Sequence, residues 1–366
     1  MGEPSISDLK GLISQIEDPR VEGRSQHPLV NILIIGLSTV LCGGESFIDM
    51  ERFADGKRDF FGKHLDMSGG VPSHDTFQRV FEAMKPEELG DILLAWTAPV
   101  RGGHVAIDGK SLRASRRGEG RPLHLINAYA KERGLVLGQR IVDGKTNEIT
   151  ALPDLIRSLD LDGCTVSIDA MGCQKNIAKE IVEADADYVL ALKGNQGVAH
   201  AEIVSFLDAE IKEGRLPCHT EADKGHGRHE VRRYWQSGEI GWFAERKAWE
   251  ALRTVAVVEE ERTVGAKTTV ERRYFISSLP VDLPRLASVV RGHWSVESLH
   301  WTLDVTFGED RSQTCHKTSA QNMALLRRLA LNIVKQDTSI KDALRGKRLR
   351  AGWNDAYLAR LLNFDA

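Results

Sequence analysis

The stretch His104-Val105-Ala106-Ile107-Asp108-Gly109-Lys110 decides how the chain is read, because its pattern returns at Val166-Ser167-Ile168-Asp169-Ala170-Met171-Gly172. In both places a short apolar, β-branched run ends on an aspartate. Such a run, closed by Asp and Gly, reads as a buried strand. The carboxyl ends of strands frame the ligand crevice in open α/β sheets, and a carboxylate placed there needs a partner or a cation to offset its desolvation. Two of them converging imply a divalent cation held by oxygen, which suits Mg²⁺ or Mn²⁺ rather than zinc. Either aspartate taken singly also serves to cap the turn or helix that follows it, and the residues alone leave that alternative open.

Between and beyond the two segments the pattern alternates. Leu123 to Ala130 and Leu135 to Val142 form short runs parted by Arg133-Gly134, which predicts a hairpin. Ile149 to Leu159 has helical spacing, Thr165 to Ile168 is β-rich, Lys175 to Ala186 is helical and Tyr188 to Leu192 is again a strand. That order predicts a mixed or parallel sheet with right-handed crossovers. From about His219 to Ser278 the character turns to β, with strands at Arg253 to Val258 and Tyr274 to Leu279 and turns at Gly225-His226-Gly227 and Val264-Gly265. This reads as an insertion. Helices follow from about Arg285 to Leu303 and from Ala320 to Lys335.

Upstream, to about residue 97, the spacing is helical. The longest apolar run, Leu29 to Cys42, contains Asn31, Ser38 and Thr39, and it is too short and polar to cross roughly 30 Å of hydrocarbon. It reads as a buried helix. Ser73, in Pro72-Ser73-His74-Asp75-Thr76-Phe77, is placed to cap a helix through Phe77, Val80, Phe81 and Met84. The expected organisation is a helical domain over 1–97, an α/β domain over 98–335 with its insertion at about 219–279, and a basic tail over 336–366.

Composition narrows the function classes. With 366 residues, 42% hydrophobic and 28% charged, the chain is globular, of two to three domains' length, and not disordered. Five cysteines without a C-x-x-C pair exclude a disulfide scaffold and a zinc finger, and His226-x-x-His229 lacks the neighbours of a zinc site. No G-x-S-x-G or Walker sequence is present, and Lys110 stands where an aspartyl phosphatase needs a second Asp. The net charge of −3 excludes a uniformly basic coat. Yet residues 1–107 hold 10 Lys or Arg against 16 Asp or Glu, and residues 311–366 hold 11 against 4. The basic end serves phosphate contacts or forms a solvated helix face. A start of Met-Gly-Glu-Pro-Ser shows no secretory signal, so a cytoplasmic protein is expected.

A third acid, Glu297, lies in the aromatic-rich segment Arg291-Gly292-His293-Trp294-Ser295-Val296-Glu297-Ser298-Leu299-His300-Trp301-Thr302-Leu303-Asp304. Helical spacing sets it beside apolar neighbours, as a ligand, or as an exposed Glu paired with His293 or His300 one turn away. Carboxylates on two strand ends and one helix suit two-metal phosphoryl transfer. Spacing alone does not single these three out of 52 acidic residues.

Four segments supply the missing discrimination: Ile107-Asp108-Gly109-Lys110, Ser167-Ile168-Asp169-Ala170-Met171-Gly172, Ala191-Leu192-Lys193-Gly194-Asn195-Gln196, and Arg291-x-His293-Trp294-x-x-Glu297-x-x-His300-Trp301-x-Leu303-Asp304-Val305. In this order they resemble the DDE transposases of bacterial insertion sequences, in particular the H-repeat-associated group. The resemblance runs from about Asp18 to Ile333, and Pro72 to Phe77 resembles that group's N-terminal associated domain. It implies an α/β fold with a ribonuclease-H-like core, Asp108 on the first strand, Asp169 on the fourth, and Glu297 on a helix reached after a β insertion. It further implies that the three acids hold two Mg²⁺ or Mn²⁺ ions for DNA cleavage and strand transfer, without a covalent protein intermediate. The implied partners are the element's terminal repeats and target DNA, with a homodimer at the nucleoid and the N-terminal domain aiding end binding or assembly.

One departure stands out. Related transposases with a β insertion often carry Tyr, Arg and Lys around the Glu; Val290, His293 and Asp304 stand at those offsets here. His293 and Arg291 are retained as phosphate candidates. Asp304, about 10 Å or two turns from Glu297, is expected to be structural rather than a fourth ligand. Further phosphate contacts are expected from a basic loop beside Asp108, comprising Lys110, Arg113, Arg116, Arg117 and Arg121. Lys193 and Asn195 join them by resemblance, and Arg345, Lys347, Arg348 and Arg350 form a weaker cluster. Two alternatives are a decayed DNA-binding or regulatory remnant of such an element and a nuclease that cuts without joining.

Overall fold

The buried apolar run forms α2 (Leu29–Leu41) in the computed structural model, which describes residues 6–21, 23, 25–115, 122–142, 148–225, 227–314 and 316–364. Around it in chain order come α1 (Ile6–Ile13), α3 (Phe47–Gly56), α4 (Arg58–His64), α5 (His74–Ala83) and α6 (Pro86–Thr97). Then follow β1 (Gly103–Leu112), β2 (Leu123–Ala130), β3 (Leu135–Val142), α7 (Glu148–Ser158), β4 (Cys164–Ile168), α8 (Lys175–Glu183), β5 (Asp187–Leu192) and α9 (Gly197–Lys212). The strands β6 (His219–Gly225), β7 (Arg228–Ser237), β8 (Thr254–Val264) and β9 (Lys267–Ser277) precede α10 (Leu283–His293) and α11 (Ser295–Trp301). A π-helical turn, Thr302–Thr306, leads on to α12 (Lys317–Gln336), α13 (Leu344–Trp353) and α14 (Asp355–Leu361). None of the described helices is long and apolar enough to cross a membrane.

The chain forms two interleaved compact units. One comprises Met1–Val100, Gly109–Asn147 and Glu297–Ala366, and the other Arg101–Asp108 and Glu148–Val296.

In the first unit α12 is buried almost throughout and packs against α2, α5, α6 and β3. Hydroxyls inside α2 cost little, because Ser38 and Thr39 donate to the carbonyls of Ile34 and Ile35 one turn back. At Gly36 the side chains of Met50 and Phe81 pack close to the helix backbone, where a Cβ would meet Met50 Cε and Phe81 Cζ at 3.4 Å. Ser46 and Asp49 form a capping box on α3, and Ser73 caps α5 by accepting from the Thr76 amide. Buried amides on α12 tie its ends down: Asn322 donates to the Phe81 and Met84 carbonyls, and Asn332 pairs with both backbone groups of Val136. The β2–β3 hairpin turns through Gly134 at φ +69°. The stretch after α12 is not an open basic tail. It folds as α13 and α14, and Lys347 and Arg348 are buried, donating to the carbonyls of Val334 and Asp337 and of Val40 and Thr306. Those two residues serve helix ends rather than phosphate.

In the second unit the strand order is β1-β4-β5-β9-β8-β7-β6. β1, β4 and β5 run parallel, while β9 joins β5 antiparallel and carries β8, β7 and β6 as an antiparallel extension. The insertion therefore continues the sheet, with four strands where two were expected. α10 lays Leu286, Ala287, Val289 and Val290 over Val189, Tyr234, Ala256, Val258 and Phe275. Asp282 caps its start by accepting from the Arg285 amide. The single helix expected over 285–303 is in fact broken, α10 ending at His293 and α11 beginning at Ser295.

Candidate active site

In the parallel pairing of β1 with β4, Ile107 stands opposite Ile168, so the next residue on each strand is an aspartate. Asp108 and Asp169 thus sit side by side at neighbouring strand positions, both partly buried. They differ in setting. β1 continues past Asp108 to Leu112, whereas β4 stops and Asp169 caps the 3-10 turn Ala170–Gly172, its Oδ1 accepting from the amides of Met171 at 3.1 Å and Gly172 at 3.4 Å. Capping occupies one of two carboxylate oxygens, and it fixes the side chain. Gly172 is required by this turn, since a Cβ there would run into the Ile168 side chain. Asn195 secures the turn by donating to the Ala170 carbonyl at 2.7 Å, and Gln196 donates to that of Cys173 at 2.9 Å.

Glu297 belongs to the first unit and is exposed on α11. The segment that carries it is anchored there through the π-helical turn. Lys110, expected in a basic loop, is instead a buried residue of β1, and its ammonium bonds to Asp304 with Glu309 at 3.3 Å and Asp310 at 3.8 Å. Asp304 is therefore a structural partner of Lys110. Glu309 is clasped by the buried Arg328, whose Nε donates to Asn127 Oδ1 at 3.1 Å, and Asn127 Nδ2 lies 3.5 Å from His300 Nε2. Burial works to raise the Glu309 carboxyl, but Arg328 and Lys110 more than offset it and hold it at about 2. Burial raises Asp304 despite its bond to Lys110, and burial with the repulsion of Lys110 and Arg328 drops His300 to about 3.

His293 also departs from expectation. It is partly buried at the end of α10, its Nδ1 2.8 Å from Ser167 Oγ, which in turn lies 2.7 Å from His104 Nε2. Burial lowers its pKa against the pull of Asp169, so the ring is neutral at pH 7 and does not offer a cation to phosphate. Arg291 is exposed and pairs with Asp223 at 3.1 Å, with Glu221 at 3.9 Å. Lys193 and Arg113 are exposed. Arg116, Arg117, Arg121 and His226 lie outside the described residues. Ser167, His104, Glu309, Arg328 and Asn127 had no sequence signal, because their partners are distant in the chain.

Among the described residues no group of three or more His, Cys, Asp or Glu side chains stands together as a metal-binding cluster. The second unit offers the Asp108–Asp169 pair, whose hard oxygen donors fit Mg²⁺ or Mn²⁺.

The family described as Transposase DDE domain matches residues 101–333, and the family described as DDE_Tnp_1-associated matches residues 11–97. The chain belongs to the DDE transposases. Within them it falls with the H-repeat-associated proteins: "H repeat-associated putative transposase YhhI" of Escherichia coli (strain K12) is 34% identical over 375 residues, covering 98% of both chains. "Uncharacterized protein in dhlA 3'region" of Xanthobacter autotrophicus is 41% identical over 284 residues, 76% of this chain and 96% of that one. The solved piggyBac transposase synaptic complex with hairpin DNA aligns over 98% of this chain and 81% of its own, at a TM-score of 0.44 and 10% identity, too distant to argue from.

Proposed function

We propose that the protein is a DNA transposase that cuts and joins the ends of an insertion-sequence element by metal-dependent phosphoryl transfer on a ribonuclease-H-like core. The reading is carried by two aspartates placed side by side on neighbouring parallel strands of a chain in the DDE transposase family. Asp108, Asp169 and Glu297 would hold two Mg²⁺ or Mn²⁺ ions. Bound there, the ions would supply charge neutralisation at the scissile phosphate. The chain's own part is to fix carboxylate oxygens: Asp169 is held by its turn and Asp108 by the β1–β4 pairing, while Glu297 stands exposed on α11. No protein nucleophile is needed, since water and then the freed 3′-hydroxyl attack phosphorus. Arg113, Lys193 and Arg291, with Arg116, Arg117 and Arg121, would take the DNA backbone, and two copies of the chain would hold two ends.

Purified protein incubated with the flanking DNA ends and Mg²⁺ or Mn²⁺, with the products sequenced, tests this. Cleaved ends and joined target are expected. Asp108→Ala, Asp169→Ala and Glu297→Ala should each lose several kcal/mol of transition-state stabilisation, on the order of 10³-fold in rate, with end binding retained. Joining by a folded Glu297→Ala protein would overturn the assignment of the third acid. End binding without cleavage in the native protein would instead identify a remnant, and cleavage without joining a nuclease.

A further inference from the structure

We infer that His293, held by Ser167 and His104, is a positioning residue that fixes the point from which the Glu297 segment departs; the inference rests on the transposase reading above. Three elements of the second unit meet in this side-chain chain. His104 comes from the start of β1, Ser167 from β4 two residues before Asp169, and His293 is the last residue of α10. His104 and Ser167 are buried, at 4% and 3% exposure. The two bonds, 2.7 Å and 2.8 Å long, share one hydroxyl. A serine hydroxyl has one proton to give and two lone pairs to accept with, so at most one of the two imidazoles accepts from it and at least one donates to it.

The buried face of α10 is held by apolar contact through Leu286, Ala287, Val289 and Val290, and its exposed side by Arg285 donating to Thr165 Oγ1 at 2.9 Å and Arg291 pairing with Asp223 at 3.1 Å. Apolar contact is non-directional and tolerates small slides, whereas hydrogen bonds are directional and do not. The strut is thus the directional contact with buried partners at the very end of α10, whereas Arg285 and Arg291 make theirs from the exposed side. It is also a late fixed point before the acid. Trp294, with the Arg273 guanidinium over its ring at 4.8 Å, interrupts the helix, α11 begins at Ser295, and Glu297 follows. The same serine couples that helix end to the strand that delivers Asp169. A neutral ring turned inward onto Ser167 acts through these neighbours and not on phosphate.

The full-length protein is compared with His293→Leu and His293→Asn on element-end DNA, over a range of Mg²⁺ concentrations. Misplacing a catalytic group by a fraction of an ångström to an ångström costs roughly 10- to 100-fold. His293→Leu should lose that much joining rate at limiting Mg²⁺ and regain much of it at high Mg²⁺, with end binding unchanged. His293→Asn, which sets a polar atom near the place of Nδ1, should restore most of the rate. Amide hydrogen exchange over residues 294–301 should quicken in His293→Leu, revert in His293→Asn and leave β4 unchanged. Unaltered Mg²⁺ dependence in His293→Leu, or exchange that rises evenly across the second unit, would overturn the inference. If His293→Leu fails to fold, Ser167→Ala is measured in the same way. If the unsubstituted protein neither cuts nor joins, the transposase reading fails on its own, and the exchange comparison still decides whether the strut holds residues 294–301.

Discussion

Burial, with Lys110 and Arg328 nearby, takes the His300 imidazole down to about 3 in the folded protein, against about 6.5 in an unfolded chain. Between those values the unfolded state binds the extra proton, so stability rises with pH and is lost as pH falls below about 6.5. From pH 7 to pH 5 the loss from this group is about 2 kcal/mol, and His293, lowered by burial, works in the same direction. Glu309 does not mask the effect: its carboxyl is held at about 2, so its favourable contribution is intact above pH 5 and lost only in strong acid. Urea unfolding at pH 5 and pH 7 should show the decline, and His300→Gln should flatten it; an unchanged slope would refute the assignment. In the sequence His300 is one turn from Glu297 and reads as its surface partner. Spacing reports which residues share a helix face, but not that Asn127 and Arg328, far off in the chain, close over that face.

At the level of the element, the β2–β3 hairpin was legible to the residue, because Arg133-Gly134 between two apolar runs is a local signal. β6, β7 and the outer halves of β8 and β9 were not. Their cross-strand pairs are ionic, Arg233 with Glu259 and Glu261 and Arg272 with Glu259, and so leave no apolar alternation to read. β1 was legible only as far as Asp108, since Asp-Gly imitates a strand end and Lys110 hides that the strand goes on. The same lysine sustains the π-helical turn beyond α11. Lys110→Met would leave Asp304, Glu309 and Asp310 short of a cation, at a cost of about 3–5 kcal/mol. Adding Asp304→Asn removes one stranded charge and should recover part of it. Paired denaturation curves check both, and equal stability of Lys110→Met and the native protein would show that the cluster carries no weight.

For the whole molecule, what matters is how the chain is shared between its two units. The helix that covers α2, α5 and α6 is α12, from the far end of the chain. Its fully buried Leu326, Leu329, Leu331 and Ile333 contribute roughly 1.5–3 kcal/mol each, together comparable to the about 5–15 kcal/mol that separates folded from unfolded proteins. Residues 1–100 expressed alone should therefore lack a cooperative melting transition and bind a hydrophobic dye, and a peptide of residues 316–337 supplied separately should raise their helicity. Sharp cooperative melting of the isolated fragment would count against this. The pairing of Asp108 with Asp169 was legible as two strand-end motifs, but the interleaving was not, because nothing local marks the points where the chain passes from one unit to the other.

Two of those four passages fall immediately after Asp108 and immediately before Glu297. A gene copy halted by a stop codon ahead of residue 297 therefore forfeits an acid and the keystone helix at one stroke. What it encodes lacks the cover over α2, α5 and α6 and should not hold a folded first unit.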